Sequence, residues 1–274
     1  MQVHEVEGGG GLRLHVREWG NPRGPAILLI HGWSQSHMSW SYQVESHLAD
    51  EFRLVALDLR GHGMSEKPPE AEHYRDGRLW ADDVAATISA LNLEGPVLVG
   101  WSYGGFIICD YLRAHGEGAI AGINIVAPAV MLNDAYDNLG PGFLENAQDA
   151  SADDLPTNIA GMRRFLRACT AKPISEEDFE TALCFNMVVP PWVRGALITR
   201  RIDSDDVLSR MTLPLLMTHG TEDTVVLPSM GRHILGVCPS AEASWYEGVG
   251  HAPFLEDPGR FNRELAELAR RVNE

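Results

Sequence analysis

The chain is short of basic residues, and this shortage limits what it can bind. It has 22 Lys and Arg against 38 Asp and Glu, a formal net charge of −16 over 274 residues. Nucleic-acid phosphates and anionic lipid headgroups repel such a charge. We therefore expect no nucleic acid and no membrane partner, and a small molecule as the ligand. The oligomeric state is left open.

Cysteine is scarce as well, and its spacing argues against metal or redox chemistry. The four cysteines are far apart and form no Cys-x-x-Cys pair: Cys109, Cys169, Cys184 and Cys238. Zinc sites and redox dithiols need closer spacing. A nucleotide cofactor is not indicated either, because the Gly-x-Gly pattern at Gly61 and Gly63 does not precede a helix with the usual phosphate-binding fingerprint. We expect buried free thiols, no metal and no organic cofactor.

Long hydrophobic runs are missing too. A membrane helix needs about 20 apolar residues, and the best run, Ala119 to Leu132, is broken by Gly122, Asn124 and Pro128. The start of the chain shows no basic region followed by an apolar stretch, as a secretory signal would. We expect a cytoplasmic protein.

What the chain does have is an alternation of short aliphatic runs with longer amphipathic segments. This pattern is typical of an α/β fold with a mostly parallel sheet flanked by helices. It predicts strands at 12–19, 26–30, 52–57, 96–99, 120–126, 214–218 and 243–246. It predicts helices at 36–48, 79–93, 103–114, 230–237 and 258–272.

The alternation stops between Met131 and Met211. Strand signals fade there, and several helical stretches follow, separated by prolines. We interpret 131–211 as an inserted helical cap, and 1–130 together with 212–274 as the α/β core. Such a cap would enclose a pocket, which favours short substrates over lipid-sized ones.

The clearest motif is Gly-Trp-Ser-Tyr-Gly-Gly at 100–105, between a predicted strand and a predicted helix. Gly-x-Ser-x-Gly in that context forms a sharp turn that exposes the serine hydroxyl at the sheet edge. The sequence therefore predicts Ser102 as a nucleophile.

A serine nucleophile needs a base, and the base needs a carboxylate to orient it. His251 follows the last predicted strand, within Gly250-His251-Ala252-Pro253-Phe254. Glu222 and Asp223 follow the strand before it, and from the residues alone either could be the acid. The order serine, acid, histidine is the one found in this type of sheet.

The oxyanion of a tetrahedral intermediate needs two donors. We predict the backbone amides of Tyr103, next to the nucleophile, and of Trp33, in His31-Gly32-Trp33 after a strand. The side chains of Trp33, Tyr103 and Phe143 are candidates for the substrate pocket. Trp33 and Tyr103 could equally pack elsewhere, and Phe143 could pack the helical segment onto the core.

The segment Asp58-Leu59-Arg60-Gly61-His62-Gly63-Met64-Ser65 contains an acid and an imidazole, which could suggest metal binding. Paired glycines with flanking charges are more typical of a turn anchored by hydrogen bonds. We interpret the segment as such a turn.

Together these motifs resemble the α/β-hydrolase superfamily almost from end to end. The resemblance implies the α/β-hydrolase fold and places the acid at Asp223 rather than Glu222. The chain is most similar to bacterial carboxylesterases related to arylesterases and cofactor-free haloperoxidases, and also to pimeloyl-carrier-protein methyl esterases. Epoxide hydrolases and haloalkane dehalogenases of this fold have aspartate in place of Ser102. The epoxide hydrolases also use two cap tyrosines, where this segment has only Tyr136.

The sequence thus predicts a serine carboxylesterase for small esters of short acids, working through an acyl-enzyme. Lactones, thioesters, carbon–carbon bonds and peracids are alternative substrates for the same three residues. A hydrolase-like receptor for a small molecule is the alternative without turnover.

Overall fold

A computed structural model of the protein describes residues 1–133 and 137–274. Its strands, in chain order, are β1 Gln2–Glu7, β2 Arg13–Gly20, β3 Ala26–Ile30, β4 Arg53–Asp58, β5 Val97–Trp101, β6 Gly122–Val126, β7 Met131–Leu132, β8 Ile202–Asp203, β9 Leu215–Gly220 and β10 Ala241–Tyr246.

Eight of these strands form one sheet, in the order β1-β2-β4-β3-β5-β6-β9-β10. Strand β2 is antiparallel to both of its neighbours, and the remaining pairs are parallel. Parallel strands are normally covered on both faces. This matches β3, β5 and β6, in which every residue is buried.

Alternate residues of each strand supply two cores, one on each face of the sheet. Leu28 and Ile30 of β3 belong to the cluster on one face, while Ile27 and Leu29 pack on the other with Trp40 and Phe261. The predicted α/β fold with a mostly parallel sheet flanked by helices is confirmed.

The helices follow the same alternation. They are α1 Ser41–Val44, α2 Leu48–Glu51, α3 Glu72–Arg75, α4 Gly77–Ala90, α5 Tyr103–His115, α6 Pro141–Leu144, α7 Ala147–Ala150, α8 Leu155–Ala168, α9 Glu176–Met187, α10 Pro191–Ile198, α11 Asp205–Leu208, α12 Pro228–Val237, α13 Pro253–Glu256 and α14 Pro258–Arg271, with 3₁₀ turns at Gly9–Gly11 and His37–Trp40.

One predicted helix, 36–48, is wrong. The segment forms the 3₁₀ turn at His37–Trp40 followed by the separate short helices α1 and α2. The Ser46 hydroxyl donates to the Gln43 carbonyl at 2.7 Å and accepts from the Leu48 amide at 3.1 Å. A serine that bonds to nearby backbone in this way competes with helix continuation.

Helices α6 to α11 all lie between residues 141 and 208, where the sequence predicts helices. Two short strands also occur near the ends of this segment, because β7 pairs with β8 in a separate antiparallel sheet. The sequence analysis missed these strands, since two residues are too few for a periodic signal. Tyr136 lies outside the described residues.

Within the described residues, no single helix has both the length and the apolar character to cross a membrane; α9 and α10 reach them only as a pair, bent by 86°. All four cysteines lie in the described part of the chain. Cys109, Cys169 and Cys238 are buried, whereas Cys184 on α9 is exposed.

Candidate active site

Ser102 lies at the turn between β5 and α5, in a backbone conformation that serine rarely adopts. Its φ is 53° and its ψ is −113°. A Cβ on Gly100 would lie 2.7 Å from the Gly104 carbonyl oxygen, and one on Gly104 would lie 2.6 Å from that of Ile30. Because real Cβ atoms do not approach so closely, both positions require glycine. Since Ser102 itself has a positive φ, the turn stores backbone strain at the residue predicted to react.

Asp223 and His251 are in direct contact. Asp223 follows β9 and His251 follows β10, so both come from loops at the carboxyl edge of the sheet. The Nδ1–H of His251 donates to Asp223 Oδ2 at 2.7 Å, and both side chains are buried. This bond leaves Nε2 of His251 free to act as a base.

The Asp223 carboxylate is also held by its own loop. Its Oδ1 accepts from the amides of Val225 and Val226 at 2.8 and 3.0 Å, and its Oδ2 accepts from Nε2 of His219 at 3.1 Å. Burial by itself raises the pKa of Asp223, but the two imidazoles outweigh burial and lower this pKa to about 2. Glu222, in contrast, is exposed.

Ser102 and His251 are linked through Trp101. Its Nε1–H donates to the His251 carbonyl at 2.8 Å, and its ring packs on the imidazole with centroids 5.6 Å apart. Among the described residues, the side-chain hydrogen bond of His251 is the one to Asp223, and the Ser102 hydroxyl is not a partner of its ring. Catalytic hydrogen bonds are often long before substrate binds, so the Ser102–His251 bond stays a prediction.

The two predicted oxyanion donors border the same place. Tyr103 is the first residue of α5, where backbone amides have no partner within the helix. A Cβ on Gly32 would lie 3.2 Å from Ser102 Cβ, so the loop that carries Trp33 packs against the nucleophile. Among the described residues, the amides of Trp33 and Tyr103 donate to no protein acceptor.

A small apolar cavity opens beside Ser102. It leaves about 30 Å³ for the centre of a water-sized molecule. All three candidate pocket residues, Trp33, Tyr103 and Phe143, border it, together with residues that the sequence analysis did not single out: Phe106, Ala129, Leu132, Leu139, Phe165, Ile198, Val225 and Val226.

Trp33 is fixed in this cavity wall by contacts with the helical segment. Its ring meets Phe143 and Phe165 edge to face, at centroid distances of 5.5 and 5.0 Å, and its Nε1–H donates to the Arg194 carbonyl at 3.1 Å. The segment between α6 and α10 therefore forms part of the cavity that borders Ser102.

Comparison with known proteins agrees with this arrangement of strands and turns. The sequence profile of the alpha/beta hydrolase family matches residues 27–264. The chain belongs to this family.

Solved structures and curated relatives place this alpha/beta hydrolase near esterases. It is 36% identical to an esterase from Rhodococcus sp. ECU1013, with a TM-score of 0.94, over 99% of this chain and 100% of the other. A protein from Burkholderia cenocepacia, described as an aryl esterase, is 37% identical with a TM-score of 0.93 and 99% of both chains covered. The non-heme chloroperoxidase CPO-A1 of Kitasatospora aureofaciens is 27% identical, over 94% of this chain and 96% of the other.

These comparisons confirm the predicted resemblance to the α/β-hydrolase superfamily and, within it, to esterases and haloperoxidases. The roles of individual residues remain predictions, which the geometry above supports.

Another cleft of this alpha/beta hydrolase is larger but lies away from the nucleophile. It has a volume of about 550 Å³, and arginine and aspartate side chains from the start of α4, from α5 and from the loop after α10 form most of its wall. None of Ser102, Asp223 or His251 borders it. Its size therefore says nothing about the proposed chemistry.

One group of side chains has ligand types suited to a metal. Donor atoms of His15, His37 and Asp58 lie within 4.8 Å of one another. Asp58 Oδ1, however, accepts from both the backbone amide and Nδ1 of His37, at 2.7 and 2.9 Å, and His15 Nε2 accepts from Arg17 at 3.3 Å. Since these donors already occupy the acceptors, we interpret the group as a hydrogen-bonded cluster rather than a metal site. Asp58 also anchors the turn that the sequence predicts for Asp58 to Ser65, because its Oδ2 accepts from the Met64 amide at 2.9 Å.

The sequence analysis missed Glu256, which holds the loop of His251. Its Oε1 accepts from the Gly250 amide at 2.8 Å, and its Oε2 accepts from the Ala171 amide at 2.9 Å. The His251 amide in turn donates to the Cys169 carbonyl at 3.0 Å. The loop between α8 and α9 is thus bonded to the histidine loop. No sequence pattern links Glu256 to residues 85 positions away.

Proposed function

We propose that this alpha/beta hydrolase is a serine carboxylesterase that cleaves small esters of short acids. The observation that carries the proposal is the position of Ser102 beside an apolar cavity and beside the backbone amides of Trp33 and Tyr103, which donate to no acceptor in the part of the chain that the structure describes. The esterases to which the chain is more than a third identical support it. The chain is a hydrolase of the ester-cleaving type.

In the proposed reaction the Ser102 oxygen bonds to the ester carbonyl carbon, and its proton passes to Nε2 of His251. The carbonyl electron pair moves onto oxygen, where the amides of Trp33 and Tyr103 stabilise the negative charge. The C–O bond to the alcohol then breaks as His251 returns the proton to the leaving alcohol. Water cleaves the acyl-enzyme by the same steps.

Asp223 remains ionised throughout this cycle, since its pKa lies near 2. Its carboxylate fixes the Nδ1–H tautomer of His251 and stabilises the imidazolium that forms when the serine proton arrives. Charge is therefore balanced inside a buried site, where an unpaired imidazolium would be costly.

The cavity supports short acids as substrates. The cavity leaves only about 30 Å³ for the centre of a water-sized molecule and is lined almost entirely by apolar side chains, which suits an acyl group of a few carbons rather than a long chain. We propose that residues 131–211 act as a cap over the core formed by 1–130 and 212–274. The contacts of Trp33 with Phe143, Phe165 and Arg194 support that role.

Steady-state rates on a substrate panel test the proposal. We expect fast hydrolysis of 4-nitrophenyl acetate and butyrate, much slower hydrolysis of the palmitate, and no activation by emulsified triolein. Lactones and thioesters at matched concentration compare the alternative reaction classes. Preference for palmitate would contradict the closed pocket.

The matched blank is Ser102→Ala, which removes one oxygen. We expect it to lower kcat by at least about 10³-fold while the melting temperature stays within a few degrees. Wild-type turnover of the panel at a single equivalent or less would favour the receptor alternative.

A further inference from the structure

The peptide group that joins Gly32 to Trp33 is held in place by an imidazole. The N–H of this group is the proposed oxyanion donor of Trp33, and its C=O belongs to Gly32. The Nδ1–H of His31 donates to that carbonyl oxygen at 2.8 Å, and the Gln35 amide donates to it at 3.3 Å. Because a peptide group is planar, fixing its C=O also fixes the direction of its N–H.

The next residue is held by a second imidazole. Ser34 has a φ of 64°, which is strained for a residue with a side chain. Its amide donates to Nε2 of His62 at 3.2 Å, and its hydroxyl donates to the Asn186 carbonyl at 3.3 Å. Such strain persists only when surrounding contacts impose it, and it is concentrated at functional sites.

The two imidazoles form a buried pair between two loops. Their centroids are 5.0 Å apart and both rings are fully buried. Nε2 of His31 accepts from the Leu59 amide at 3.1 Å, and Nδ1–H of His62 donates to the Arg60 carbonyl at 2.8 Å. The pair therefore ties the loop after β4 to the loop after β3.

Each ring needs one donor and one acceptor, which only a neutral imidazole supplies. Burial, the main cause, lowers the pKa of His31 to about 4 and the pKa of His62 to about 3. Both rings are thus neutral at pH 7, with the proton on Nδ1.

We propose that His31 and His62 are positioning residues of the oxyanion site, because they orient the peptide groups on either side of Trp33. The inference rests on the proposed function, since it assigns a catalytic use to the Trp33 amide. It predicts that losing either contact weakens binding of the developing oxyanion and leaves binding of the uncharged ester nearly unchanged.

Asparagine and glutamine separate the two nitrogens of each ring. The side-chain amide of asparagine reaches about the position of Nδ1, and that of glutamine about the position of Nε2. At position 62 the contact with Ser34 uses Nε2, so His62→Gln keeps it and His62→Asn loses it. At position 31 the contact with Gly32 uses Nδ1, so His31→Asn keeps it and His31→Gln loses it.

The experiment measures kcat and KM on 4-nitrophenyl acetate, together with the inhibition constant of a trifluoromethyl ketone. The ketone adds to Ser102 and presents an oxyanion, so it reports on the site directly. We expect His62→Asn and His31→Gln to lower kcat by about tenfold to a hundredfold. KM should change by less than about threefold, and ketone affinity should fall in parallel with kcat. Exposed His47 provides the control His47→Asn, which should match the wild type.

The decisive result is a higher kcat for His62→Gln than for His62→Asn, together with a higher kcat for His31→Asn than for His31→Gln. A loss of packing alone would favour the same side chain at both positions. Equal kcat for both variants at each position, or a loss of kcat without loss of ketone affinity, would overturn the inference. Melting temperatures identify any variant that fails to fold, and the other position then decides.

The wild type and Ser102→Ala are measured in the same series. Wild-type turnover that Ser102→Ala abolishes, combined with unaffected histidine variants, overturns the inference alone. Absence of wild-type turnover on every ester overturns the proposed function, and the inference with it.

Discussion

At the scale of single residues, the Asp223 carboxylate accepts hydrogen bonds from two imidazoles and two backbone amides. His219 bridges it to the Val226 carbonyl at 2.9 Å, and the ring of His219 stacks on Trp245. The orientation of His251 therefore depends on a carboxylate that cannot rotate. A rigid acid of this kind keeps the base aligned between turnovers.

Asp223→Asn tests which acid serves His251. The amide can present its NH₂ group to Nδ1 and so favours the wrong tautomer, and we expect kcat to fall by about 10³–10⁴-fold. Glu222→Gln is the matched control, one position earlier on the same loop, and should leave kcat within about twofold. The assay is 4-nitrophenyl acetate hydrolysis under saturating substrate. Normal activity in Asp223→Asn with a loss in Glu222→Gln would move the acid to Glu222.

At the scale of elements, helices α6 and α8 limit the room for the acyl chain. Phe143 of α6 and Phe165 of α8 meet at a centroid distance of 6.2 Å and close the cavity with Trp33. Phe143 is half-buried, so its ring can be removed at a smaller cost in stability than a core aromatic side chain.

Phe143→Ala should lengthen the accepted acyl chain. Removing the ring extends the cavity, and we expect the ratio of kcat/KM for the hexanoate over the acetate to rise by at least about tenfold. Leu144→Ala is the matched control, because Leu144 is the next residue of the same helix and is exposed. A series of 4-nitrophenyl esters measures the ratio. An unchanged chain-length profile in a folded Phe143→Ala protein would place the acyl group elsewhere.

The sequence predicts elements best where one periodic signal coincides with a boundary signal. Strand β3 occupies the predicted residues Ala26–Ile30, and α5 begins at the predicted Tyr103. Helix α4 instead begins at Gly77, two residues before the predicted start at Leu79, because the Asp76 side chain caps it by accepting from the Arg78 amide at 2.8 Å. Capping of this kind is a local hydrogen bond, which hydrophobic periodicity does not record.

The candidate site likewise contains residues that the sequence predicts and contacts that it does not. Ser102, Asp223 and His251 were predicted because motifs mark the ends of their strands. The contacts of His62 with Ser34, and of Glu256 with Ala171, join residues far apart in the chain. Those pairings depend on how the loops pack after folding, and a single sequence carries no signal for them.

At the scale of the whole molecule, the buried imidazoles make stability depend on pH. A histidine in an unfolded chain takes up its proton near pH 6.5, whereas burial lowers the pKa of His31 to about 4 and of His62 to about 3. Between these values the unfolded chain binds protons that the folded protein excludes. The contribution of the two buried imidazoles to the free energy of unfolding is therefore complete above about pH 6.5 and is lost as the pH falls below that value.

His62→Gln should lower the number of protons that the chain takes up on unfolding at acid pH by as much as one. The slope of the unfolding free energy against pH should fall by up to about 1.4 kcal/mol per pH unit between pH 6 and pH 4.5. Urea denaturation of both proteins across pH 4.5 to 8 measures it. Above about pH 7.5 the two curves should run parallel, which serves as the internal control. Parallel curves over the entire range would show that His62 is not buried in its neutral form.

The exposed thiol of Cys184 has a practical consequence for studying motion. Cys184 lies on α9, two residues before Asn186, whose carbonyl accepts from the Ser34 hydroxyl. A maleimide fluorophore would label this position selectively, because the other three thiols are buried and thiol reagents need access. Because no cysteine has to be engineered, the emission of this fluorophore would report in real time whether α9 moves relative to the loop of Trp33 and Ser34 when an ester binds.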